Sequence, residues 1–144
     1  MGFGSALDIF DRKAFAVITT LGLVCLLVFS QGPIPQSPEY HNFADTNDWF
    51  GIPNGFNVLS NVPFFAAGVY GIQTMVRANP GTFANSKHPA AYWVLFISTC
   101  FVSIGSAYYH LWPTTETLFW DRLPMTIAFM SIVTILLTEK VNDR

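Results

Sequence analysis

The sequence predicts an all-α fold, a multipass transmembrane helical bundle forming a single membrane domain over residues 1–144, and three observations carry that prediction. Hydrophobic residues make up 51% of the chain and charged residues only 11%, with a mean hydropathy of +0.39, too apolar for an ordinary soluble domain. Four stretches, 14–30, 56–76, 90–111 and 123–138, hold no Asp, Glu, Lys or Arg, and each approaches the roughly 20 apolar residues a helix needs to cross hydrocarbon. Basic residues are also lopsided. Arg12, Lys13, Arg77, Lys87, Lys140 and Arg144 fall on one side of the implied membrane and only Arg122 on the other, so both termini are predicted cytoplasmic. The 31–54 and 112–122 loops then face the lumen or exterior. A net charge of -2 without a basic stripe excludes nucleic acid as a partner.

The first span follows the basic pair Arg12-Lys13, as the core of a signal peptide also would. Acidic Asp8 and Asp11, and the absence of a small-x-small site near Ser30, favour an uncleaved helix. Cys25 here and Cys100 in the third span read as small buried hydrophobes, not as a disulfide framework or a thiolate metal site. Gln31 to Pro38 is proline-rich and cannot continue a helix. The next segment, Glu39 to Trp49, mixes acids, amides and aromatics. Solvation with an aromatic belt is the favoured reading, and a loop folded over a lumenal mouth the other.

In the second span, Asn57, Asn61, Gly68 and Gly71 can share a face, with amides bonding across helices and glycines permitting close approach. Asn79-Pro80-Gly81 is a turn, and His88 a loop histidine before the third span. Thr99, Ser103, Ser106 and His110 then recur at intervals of four, three and four, a polar stripe that should face protein or water. The fourth span is short, its 123–138 stretch rising only about 24 Å. Asp121, just ahead of it with Pro124 in its first turn, is placed as its N-cap. Ser131, Thr134 and Thr138 are expected to bond their own helix carbonyls.

Ser106, His110 and Asp121 carry the chemistry. Ionisable groups in hydrocarbon are costly and are functional candidates by default. Ser106 and His110, four apart, lie one helical turn apart on one face, and the short 112–120 connection brings Asp121 back to the same membrane side. Two chemistries fit. In one, the imidazole binds zinc, the carboxylate orients or deprotonates a metal-bound water, and the hydroxyl meets the oxyanion. In the other, Ser106 attacks with His110 as its base, although partners one turn apart on one helix align poorly for proton transfer.

The runs Gly105-Ser106-Ala107-Tyr108-Tyr109-His110 and Trp120-Asp121-Arg122-Leu123-Pro124-Met125, with Asn57 to Asn61 upstream, resemble the alkaline ceramidase family of the CREST superfamily of membrane hydrolases. The likeness covers roughly Tyr40 to Ser131, and its serine, histidine four later and aspartate eleven after that is a specific spacing. It implies part of a seven-helix bundle that cleaves the amide of a ceramide-type lipid to sphingoid base and fatty acid, in the endoplasmic reticulum or Golgi of a eukaryote. It also implies a zinc ligand in His110, a water-holding acid in Asp121 and an oxyanion donor in Ser106. The family completes its zinc site with two later histidines four apart, and no histidine follows His110 here. His41, in a loop, and His88, on the opposite predicted face of the membrane, are not expected to substitute. Asp48-Trp49, with Glu39 and Asp45 nearby, resembles the family's calcium-binding acidic cluster, but Phe50 to Asn54 lacks the expected glutamates. The sequence thus leaves open a shortened zinc amidohydrolase, inactive on its own if the later histidine pair is not supplied, and a non-catalytic membrane protein with a lipid-binding or self-associating role.

Overall fold

A computed structural model describes residues 3–32, 34–79 and 89–141, which fall into two compact units, residues 1–36 and 37–144. His88 and the Asn79-Pro80-Gly81 turn beyond Asn79 lie outside the described residues. The architecture is all-helical, with four long helices, one short one and no strand among the described residues.

The first unit is α1, Phe3–Ser30. It stops where Ser30 Oγ donates to the Leu27 carbonyl at 2.7 Å and Gly32 takes a positive φ of 70°, which a glycine adopts without steric penalty. Its apolar stretch Ala14–Ser30 has 17 residues.

The second unit begins with a 3-10 turn, Pro38–His41, and continues through α2 (Gly55–Leu59), α3 (Val62–Arg77), α4 (Pro89–Leu111) and α5 (Thr115–Val141). Both α3 and α5 pack against α4. Glycines make this possible. A methyl on Gly68 would lie 2.5 Å from Cys100 Sγ and 2.9 Å from the Phe96 carbonyl oxygen, and one on Gly71 would overlap the Phe96 ring. One on Gly105 would overlap the Trp120 carbonyl oxygen and stand 3.4 Å from Asp121 Cα. The close approach expected of Gly68 and Gly71 is therefore present, and Gly105 supplies a third contact of the same kind. Ser98, Ser103 and Ser131 are buried together with Met75, Tyr109, Leu118 and Ile135, while Phe101, Ile104, Phe129 and Leu137 face outward. Such outward apolar surface suits helices immersed in lipid, where it has nothing to gain from burial.

Of the four expected spans, two helices are long and apolar enough to cross a membrane, Pro89–Leu111 and Thr115–Thr138. The 56–76 span is interrupted. Pro63 has no N–H to give and its ring would clash with the Leu59 carbonyl, so the helix ends at Leu59 and restarts at Val62. Asn61 bridges the break, its Nδ2 donating to the Asn57 carbonyl at 2.9 Å and its own carbonyl accepting the Phe64 and Phe65 N–H groups. Its side chain therefore does not bond across helices as expected. The cross-helix bond is Ser103 Oγ donating to the Asn61 carbonyl, at 2.7 Å and buried.

Asp121 is not an N-cap. The last helix starts two turns earlier at Thr115 because Thr114 and Thr117 cap it reciprocally, Thr117 N–H donating to Thr114 Oγ1 at 3.2 Å and Thr114 N–H to Thr117 Oγ1 at 3.0 Å. This is a capping box with threonine in place of the usual Glu or Gln. Asp121, Arg122 and Pro124 lie inside α5, and its added turns relieve the expected shortness of the fourth span. Ser131, Thr134 and Thr138 bond their own helix carbonyls as expected.

Candidate functional site

The site is built where α4 ends and α5 begins. Gly105 lets the α5 backbone at Trp120 and Asp121 lie directly on α4, one residue before Ser106 and five before His110. Antiparallel packing through that point keeps Asp121 at the His110 end, and the carboxylates of Asp121 and Asp45 both act electrostatically on the His110 imidazole. Asp121 is brought to the His110 end by a glycine contact within a longer α5, and not by a helix beginning at Asp121.

Hydrogen bonding separates these groups from their neighbours. Along α4 and α5, Thr99, Ser103, Thr126, Ser131, Thr134 and Thr138 each donate to a backbone carbonyl. The expected stripe on α4 is therefore half structural, since Thr99 and Ser103 are consumed by backbone. The Ser106 hydroxyl, the Asp121 carboxylate and the His110 imidazole have no hydrogen-bond partner among the described residues. His110 Nδ1 is buried as well. Buried polar atoms are nearly always satisfied, so this nitrogen is an exception among the described residues. Ser106 and His110 do not bond each other either, which leaves the serine without the base a nucleophile requires.

The 38–54 segment covers this end of α4. His41 Nδ1 shares a 2.9 Å hydrogen bond with the Tyr109 hydroxyl and its Nε2 a 3.2 Å bond with Thr115 Oγ1, tying α4 to the start of α5. Phe43 packs on the His110 ring at 4.8 Å between centroids and edge-on to Tyr109 at 5.5 Å. Asn54 Nδ2 donates to the His110 carbonyl at 2.8 Å, and Arg122 stands 5.2 Å over the Tyr40 ring. Most of residues 39–49 is exposed, as the favoured solvated reading has it, while His41 and Phe43 turn inward and fix the segment as a strap on α4 and α5. His41 is a strap residue, with both ring nitrogens engaged.

Asp45 anchors the strap from behind. Its Oδ2 accepts the Asn57 N–H at 3.0 Å and its Oδ1 the backbone and side-chain N–H groups of Asn47. The Asn57 bond, with help from Asn47 and against an opposing push from burial, holds the carboxyl below its ordinary value of 3.8. A depressed folded value means that the folded state prefers the ionised form. The anchoring is then complete above about pH 4 and lost as pH falls through the lowered value. Amide exchange at Asn57 is expected to stay slow from neutrality to about pH 4 and to lose protection below it, with Asp45→Ala, which has no acceptor, unprotected throughout.

Asp48 lies apart from the imidazole. Its Oδ1 accepts the Gly51 N–H at 2.7 Å within a tight turn in which Phe50 and Gly51 both have positive φ and Trp49 and Ile52 pair. No three His, Cys, Asp or Glu side chains among the described residues are grouped to hold a metal ion, whether zinc at His110 or calcium at Asp48. Catalytic zinc normally takes three protein ligands, so one imidazole with one nearby carboxylate does not make such a site.

Compared with known proteins, residues 52–144 match the model of the ceramidase family. No curated protein and no solved structure matched the chain. The family match takes in α2 to α5 and all of Ser106, His110 and Asp121, more than half of the sequence, and the chain belongs to the ceramidase family.

Proposed function

We propose that the chain works on the amide of a ceramide-type lipid, with Ser106, His110 and Asp121 at the reacting end. The supporting observation is that these three groups have no hydrogen-bond partner among the described residues while most hydroxyls along α4 and α5 do. Amide hydrolysis needs a water activated by a base, a donor for the oxyanion and a proton for the leaving amine. Asp121 takes the proton from the attacking water and returns it to the amine nitrogen as the C–N bond breaks. Ser106 donates to the carbonyl oxygen as charge develops there. His110, pressed against Phe43, would be the imidazole that holds a zinc ion, which would supply a water activated by the metal; the described residues group no three donors around it. The reading also takes the His110 end as lumenal and both termini as cytoplasmic, following the distribution of basic residues.

A second reading, lipid binding without hydrolysis, is favoured by the absence of a three-donor metal group among the described residues. Sphingoid-base release from N-acylsphingosine by the purified chain separates the two. Release is expected, is lost on treatment with a metal chelator, and resists a serine-directed fluorophosphonate. Release that survives chelation but not the fluorophosphonate would transfer the chemistry to Ser106 as nucleophile.

A further inference from the structure

The His110 imidazole lacks the usual means of orientation. A histidine placed for chemistry is commonly fixed by a hydrogen bond through its second ring nitrogen, which sets both the tautomer and the plane of the ring. His110 Nδ1 is buried and has no such partner among the described residues. The second torsion of an imidazole is broad and roughly two-fold, so without packing the ring turns over and exchanges Nδ1 with Nε2.

The strap supplies that packing. Phe43 meets the His110 ring at 4.8 Å between centroids and 56° between planes, within the range of favourable aromatic pairs. Tyr109, the other ring beside it at 5.4 Å, is itself held edge-on by Phe43 and through its hydroxyl by His41. The backbone is fixed from the same segment. Asn54, at a left-handed φ of 53° that asparagine tolerates, donates from Nδ2 to the His110 carbonyl at 2.8 Å and satisfies an acceptor left open at the end of α4. Phe43 also sits between two anchors: His41 on Tyr109 and Thr115, and Asp45 on the Asn57 N–H of α2.

We infer that Phe43 is a positioning residue, holding the His110 imidazole with Nδ1 turned inward and Nε2 presented to the reacting end. This rests on the placing of His110 at that end and adds the residue that keeps its ring in one orientation. The flat face is what counts. Leucine at position 43 keeps an apolar side chain without that face, and tyrosine keeps the face.

The test uses the full chain in detergent, isotopically labelled in its histidine ring nitrogens, at about pH 8, above the ordinary histidine value, where an imidazole is neutral. The His110 signals are those lost in His110→Ala. Wild type is expected to give two well-separated ring nitrogen shifts, the mark of a single tautomer, Phe43→Leu two shifts drawn together by exchange, and Phe43→Tyr the wild-type pattern. Sphingoid-base release by Phe43→Leu should fall about 10- to 100-fold in kcat with little change in KM, as for a misplaced group, and recover in Phe43→Tyr. Unchanged His110 shifts in Phe43→Leu, with or without a lower unfolding midpoint, would overturn the inference, since a purely structural Phe43 leaves them alone. Shifts already averaged in wild type would overturn it whether or not any variant folds. Because the shifts need no turnover, an ordered ring in a chain that releases no sphingoid base would sink the hydrolase reading and leave this one standing. Base release by wild type with averaged ring shifts would do the reverse.

Discussion

Gly105→Leu is expected to separate α5 from α4 and to remove both folding stability and activity, the most damaging single substitution in the chain. A side chain at this position meets the Trp120 carbonyl and the Asp121 Cα, which are backbone and cannot rotate aside. Overpacking a flexible contact costs about 1–3 kcal/mol, and a rigid one belongs at or above the top of that range. The loss should register as a lower midpoint in thermal unfolding followed by circular dichroism in detergent. Gly22→Ala in α1 is the control, because nothing lies within 4 Å of a methyl there. There the change should be neutral or slightly stabilising, since alanine is the better helix former by about 1 kcal/mol. Equal midpoints for Gly105→Leu and wild type would show that the α4–α5 contact does not hold the site together.

Asp121→Asn is expected to leave the fold intact and to reduce sphingoid-base release by about 10²- to 10⁴-fold, the usual contribution of a general acid–base group. The fold survives because the carboxylate hydrogen-bonds no group among the described residues and asparagine has the same shape. Activity fails because an amide cannot take a proton from water at neutral pH. The drop should appear in kcat with little change in KM, as for an interaction made only in the transition state. Were Asp121 merely structural, the unfolding midpoint would fall alongside the rate.

How much of this was legible in the residues follows from the range of the forces involved. Ser106, His110 and Asp121 stand out because charge and polarity inside an apolar run are read locally, and the helical period alone puts the first two on one face. Ser131, Thr134 and Thr138 were equally readable, since their bonds reach back one turn within their own helix. The start of α5 was misplaced because Pro124 and Asp121 imitate a helix opening, while the true one is the reciprocal pair in Pro113-Thr114-Thr115-Glu116-Thr117. The break at Ser60-Asn61 was missed because hydropathy does not register Pro63's lack of an N–H. Nothing local reveals the strap. His41 reaches Tyr109 and Thr115 across 68 and 74 residues of sequence, and Gly105 looks like any packing glycine until Trp120 is laid on it.

The central claim is that the His110 end of α4 is a site for lipid amide hydrolysis. Its most direct test is release of free sphingoid base from N-acylsphingosine by wild type and His110→Ala, assayed side by side at matched amounts of folded protein. The account predicts release by wild type and background alone from the variant. Equal release from both, or none from wild type, would contradict it.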